Sequence, residues 1–142
     1  MLKESLGYLI SRTDKSLKKL ITSIVSDYHL TVPQYGILRR LYEQEGLSAC
    51  DLVKQVYTDS STMMAILDRL ENKDLIQRIP HVTDRRMNNI LLTDRAKEFL
   101  PVMIARVIEL EKSMTKELSE EELTNLGSGL TKLYEFAISK KP

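Results

Sequence analysis

Asp84, Arg85 and Arg86 stand together in a polar stretch, residues 81–87, between two segments of strand character. Two guanidinium groups on a protruding loop can donate hydrogen bonds and positive charge to phosphates, or enter a groove too narrow for a helix. Asp84 can pair with a neighbouring arginine and fix its direction, while the other arginine keeps the loop cationic. Other reactive residue types are scattered. His29 and His81 lie far apart with no ligand-spaced partners, so neither a metal nor any other cofactor is expected. A nucleophile elbow, a phosphate loop and an HExxH helix are all missing, which argues against an enzyme. Cys50 is the single cysteine and cannot close an intrachain disulfide. It reads as a small buried filler in a short helix, with no neighbouring cation to make it reactive.

The chain has 142 residues, 42% of them hydrophobic, enough for one or two modest cores, or one core plus an oligomer interface. The N-terminal residues include Glu4 and show no signal-type cleavage pattern, and no apolar run approaches the roughly 20 residues of a membrane span. A soluble protein of the reducing cytoplasm is expected. The formal net charge of +1 hides an uneven distribution. Residues 75–97 hold five Arg or Lys against two acids, while residues 48–74 hold three against five.

Caps and periodicity divide the chain into elements that could position the arginines. Apolar residues at Leu6, Leu9, Ile10, Leu17, Leu20, Ile21, Ile24, Val25 and Tyr28 predict an amphipathic helix over residues 5–29. Thr31 with Gln34 forms a capping box, and Pro33 suits the first turn of a second helix running to about Gln44, with Gly46 closing it. Ser48 caps a short third helix, with Asp51 at its third position and Leu47 stapled onto Leu52. Asp59 caps a fourth, through about Lys73, whose inward stripe is Met63, Ile66, Leu67 and Leu70. That stripe leaves Ser61, Thr62, Met64, Ala65, Asp68 and Arg69 outward. "LIQRIP" and "NNILLT" read as paired strands, with Ile90 and Leu92 on one face and Pro80 at an exposed edge. Thr93 caps a helix to about Leu118, kinked at Pro101. Ser119 and Glu122 then open a last helix with Leu123, Leu126, Leu130, Leu133 and Ala137 in a near-heptad row.

The predicted fold is mainly α with a small β-hairpin: a winged helix-turn-helix flanked by N- and C-terminal helices. In such a unit the second short helix faces the major groove, and the wing reaches an adjacent minor groove or the phosphates. Ser60, Ser61, Thr62, Met64, Ala65 and Arg69 are the helix residues expected to meet double-stranded DNA, with Asp84, Arg85 and Arg86 on the wing. Met64 and Ala65 would read thymine methyls, and Ser61 and Thr62 would hydrogen-bond.

In its wing, Asp84, Arg86, Ile90, Leu92 and Thr93, and in "ILDRLENKDLIQR" upstream, the sequence resembles the MarR family of bacterial transcription regulators over nearly its whole length. The resemblance implies an intertwined homodimer on a pseudopalindromic operator, acting as a repressor. Residues 1–30 would form an N-terminal dimerisation helix, 31–97 the DNA-binding lobe and 98–142 the C-terminal dimerisation helices. It also implies that Arg86 enters the minor groove, Asp84 orients it and Arg85 contacts phosphate. A small aromatic or anionic effector is implied at the junction of dimer helices and lobe, near Tyr8, Arg12, Tyr28, His29 and Tyr35. Asp74 departs from the glycine common in the family; aspartate tolerates a left-handed backbone less well, so that corner is expected to differ. The acid surplus of residues 48–74 supports one alternative, a homodimeric protein-interaction module that has lost DNA binding.

Overall fold

The computed structural model describes residues 2–56, 58–80, 83 and 88–140. His81, Asp84, Arg85 and Arg86 lie outside the described residues. Six α-helices and two strands follow one another: α1 (Leu6–Val25), a 3-10 turn (Ser26–Tyr28), α2 (Val32–Glu43), α3 (Ala49–Val56), α4 (Ser60–Asn72), β1 (Ile76–Pro80), β2 (Asn88–Leu92), α5 (Asp94–Thr115) and α6 (Glu120–Ser139). This is a winged helix-turn-helix. The chain divides into two compact units, one up to Val107 and one from Ile108.

Short-range hydrogen bonds start most of the helices. Thr31 and Gln34 form a reciprocal capping box at 3.3 and 3.1 Å, and Ser119 with Glu122 repeats it at 2.8 and 3.1 Å. Ser48 and Asp51 exchange the same pair of bonds at 3.0 and 3.1 Å before α3. Each satisfies donors that the helix itself cannot. Two helical segments end in a left-handed residue. His29 has φ 58° and Asp74 φ 59°. At the second, Asp74 N–H donates to Glu71 O and Leu75 N–H to Leu70 O, both at 3.0 Å. The corner after α4 is therefore the ordinary left-handed helix stop, made with aspartate in place of glycine. The altered corner expected from sequence does not occur, because these two bonds and the burial of Leu70 and Leu75 hold Asp74 in place.

Helix ends differ from expectation by a few residues. α1 stops at Val25, where a 3-10 turn closed by His29 N–H to Ser26 O at 3.0 Å takes over and Leu30 N–H reaches back to Val25 O at 3.2 Å. α5 stops at Thr115, whose carbonyl accepts from Leu118 N–H at 2.9 Å, and it runs as one helix through Pro101.

In the first unit, Leu38, Leu52, Met63, Leu67, Leu70 and Ile90 are fully buried at the centre of the core. Each contributes about 1.5–3 kcal/mol by leaving water. α3 packs on α4, α4 on β1, and α2 on β2. The strands pair antiparallel, Ile76 opposite Leu92 and Arg78 opposite Ile90. Ile90 N–H also donates to Leu47 O at 2.9 Å, which ties the hairpin to the start of α3.

Cys50 corrects the sequence reading: it is exposed. The inward residue of α3 is Leu52. Two positions on a helix are about 200° apart, so Cys50 faces the other way. In the second unit α6 has no buried residue, and Leu123, Leu126, Leu130 and Leu133 are 39–49% exposed. A Cβ at Gly127 or Gly129 would meet nothing within 4 Å.

Candidate nucleic-acid interface

α4 carries the face that sequence singled out. Met63, Leu67 and Leu70 are buried and Ile66 half-buried, while Ser60, Ser61, Thr62, Met64, Ala65, Asp68 and Arg69 are exposed. A helix with one face fixed by the core must present the other to solvent or a partner. At its start, Asp59 Oδ1 accepts from Thr62 N–H at 2.6 Å and from the Ser61 hydroxyl at 2.9 Å. The Thr62 backbone N–H, then the Ser61 hydroxyl, hold the Asp59 carboxyl below its ordinary range. Ser61 keeps its oxygen as an acceptor for a partner, its proton being directed at Asp59.

The acid surplus of residues 48–74 is largely consumed within the fold. Asp51 caps α3, and the Ser48 backbone and hydroxyl keep its carboxyl ionised to lower pH than usual. Asp59 caps α4. Asp68 and Glu71 both meet Arg78 of β1, Asp68 through a short hydrogen bond and Glu71 at 3.6 Å. Lys73, at the end of α4, turns from this face and donates to His29 O at 2.6 Å and Gln34 Oε1 at 3.1 Å.

Of the five residues proposed near an effector, Tyr28 and His29 come together. They line a cleft of about 370 Å³ with Lys73, Leu75, Arg95 and Phe99, and the Tyr28 and Phe99 rings stack at 5.4 Å. Tyr35 is elsewhere, 5% exposed, its hydroxyl accepting from Arg39 at 3.1 Å. Tyr8 and Arg12 form their own cation–π pair at 5.3 Å, with Arg12 held to Glu4 at 3.1 Å. Sequence reasoning missed Lys73, Arg95 and Phe99, which approach Tyr28 only through folding. It also missed Arg78, for which a signal existed: Arg78 is two positions from Ile76 and so shares its face. Among the described residues no group of three potential metal ligands occurs, and no helix is long and apolar enough to cross a membrane.

Residues 30–87, which comprise α2, α3, α4, β1 and the segment beyond it, match the model of the MarR family. Over this segment the chain is similar to the MarR family. Over 98% of its length it is 28% identical to the HTH-type transcriptional regulator SarZ of Staphylococcus epidermidis, covering 95% of that protein. It is 27% identical to the regulator PecS of Dickeya dadantii over 93% of this chain and 81% of PecS. Among solved structures, the MepR–DNA complex of S. aureus superposes with a TM-score of 0.86 at 28% identity, covering 95% of this chain and 99% of MepR. The regulator SlyA shares the fold with a TM-score of 0.87 at 20% identity, covering 94% of each chain.

Proposed function

We propose that this chain is a homodimeric transcription regulator of the MarR type that binds a pseudopalindromic operator and represses from it. The observation that carries the reading is the exposed face of α4 beside a paired hairpin, with its nearby carboxylates engaged in caps or with Arg78. A duplex meeting α4 would encounter hydroxyls, a methionine, an alanine and Arg69, with little uncompensated negative charge. MepR, a relative over nearly the full chain, was solved with DNA. Ser60, Ser61, Thr62, Met64, Ala65 and Arg69 are assigned to the major groove. On the wing, Arg86 is assigned to the minor groove, Asp84 to orienting it and Arg85 to phosphate.

Residues 31–97 serve as the DNA-binding lobe; residues 1–30 and 98–142 serve dimerisation. The apolar residues that α1 and α6 expose, such as Leu6 and Leu20 on one and Leu126 and Leu130 on the other, support this division. A second copy would bury them. The cleft at Tyr28 and His29, with aromatic walls and two nearby cations, suits a small aromatic acid as effector. The protein works in the cytoplasm without a catalytic step.

The test is selection of bound duplexes from a random pool by the full chain. A pseudopalindrome with half-sites about 10 base pairs apart, roughly 34 Å, is expected. Recovery of no enriched sequence would instead favour a protein-interaction module. That second reading rested on the acids of residues 48–74, most of which have partners inside the fold.

A further inference from the structure

Strand β1 reverses the usual sorting of charged and apolar side chains. Arg78 lies opposite Ile90, and so shares the inner face with Ile76, Ile90 and Leu92, all buried. Ile79, its neighbour, turns outward and is 42% exposed. A strand selected for burial alone would place isoleucine inside and arginine outside. The Arg78 side chain is only 15% exposed. Its stem lines a small cleft with Met64, Leu67 and Ile90, and its buried Nε lies 3.6 Å from Glu71 Oε2, too long for a hydrogen bond. Its guanidinium reaches back to two carboxylates one turn apart on α4, Asp68 and Glu71. Departures from local sorting of this kind concentrate where a fold serves function at some cost in stability.

We propose that Arg78 is a positioning residue for DNA recognition, bracing the wing against α4 so that the two read the duplex as one rigid body. The inference rests on the regulator reading above. A wing that swung freely would lose its freedom on every binding event; braced to α4, it arrives in register when the helix docks. Arg78 also compensates Asp68, which is 63% exposed on the outward face and would otherwise repel phosphates. The planar fork of arginine can engage both acids at once, whereas a lysine ammonium acts as a single point charge. Arg78→Lys therefore separates the two effects: charge compensation is kept and bracing is weakened.

The experiment measures dissociation constants of the full-length protein for its selected duplex and for a scrambled duplex at one salt concentration, with thermal unfolding run alongside. Wild type, Arg78→Met, Arg78→Lys and Asp68→Asn are compared. The ratio of scrambled to selected constants should fall at least tenfold in Arg78→Met. In Arg78→Lys it should fall less, with affinity for scrambled DNA near wild type. Asp68→Asn should lower the ratio while leaving affinity for scrambled DNA equal or higher. A merely structural role would lower the melting temperature and weaken both duplexes by one factor; an unchanged ratio in the folded variants would overturn the proposal. Should Arg78→Met fail to fold, Arg78→Lys and Asp68→Asn carry the same decision. If wild type itself shows no preference between the duplexes, the regulator reading fails first and takes this inference with it, an outcome visible before any variant is compared.

Discussion

The hydroxyl of Thr93 donates to the carbonyl of Asp74 at 2.7 Å while accepting from the backbone N–H of Ala96 at 3.2 Å. One buried side chain thus starts α5 and fastens it to the corner where α4 passes into β1. Thr93→Ala removes both bonds and leaves the Asp74 carbonyl without that donor. A loss of about 1–2 kcal/mol is expected in chemical denaturation, and Thr93→Ser should recover most of it.

Asp74 holds φ 59° without glycine's freedom. Asp74→Gly should relieve that conformation at some entropic cost in the unfolded chain, for a net gain of roughly 0.5 kcal/mol. Asp74→Val, branched at Cβ, should lose more than about 1 kcal/mol. Midpoints of urea unfolding distinguish the three proteins.

Asp51 and Asp59 cap their helices as carboxylates, and both titrate below the ordinary value of 3.8 when folded. The folded state therefore binds fewer protons than the unfolded chain across that range. Their stabilisation is fully present above about pH 4 and is lost as pH falls through the lowered folded values. Melting temperatures taken from pH 6 down to pH 2.5 should drop below pH 4. Asp59→Asn, which still caps but does not ionise, should show a shallower fall.

Arg85 and Arg86, assigned above to phosphate and the minor groove, should separate by salt. Arg86→Ala is expected to weaken binding to the selected duplex strongly at fixed salt and to affect scrambled DNA little. Arg85→Ala should weaken both, and lower the slope of log affinity against log salt by about 1. Fluorescence anisotropy at several salt concentrations measures both effects.

Leu126 and Leu130 are 49% and 45% exposed on α6. Replacing both with glutamate should leave the residues up to Val107 folded and convert the proposed dimer to a monomer in light scattering. Affinity for a two-half-site duplex should fall to that for one half-site.

Much of the fold was legible in the sequence, because its punctuation is local. Thr31 with Gln34, Ser48 with Asp51, Asp59 with Thr62, Thr93 with Ala96 and Ser119 with Glu122 each join residues three apart, and any such pair can be read from a string of letters. The periods of 3.6 and 2 likewise located α4 and named Met63, Leu67 and Leu70 as its inner side.

What the tertiary structure alone decided concerns residues whose partners are distant in the chain. Cys50 points outward because Leu52 took the inner side of α3, and Tyr35 is buried while Tyr28 opens onto a cleft, though both are tyrosines near one helix junction. Arg78 reaches Asp68 across ten positions and Lys73 reaches His29 across forty-four. Sequence determines such contacts only through the whole packed core: which side of a strand or helix is covered depends on what the rest of the chain brings against it.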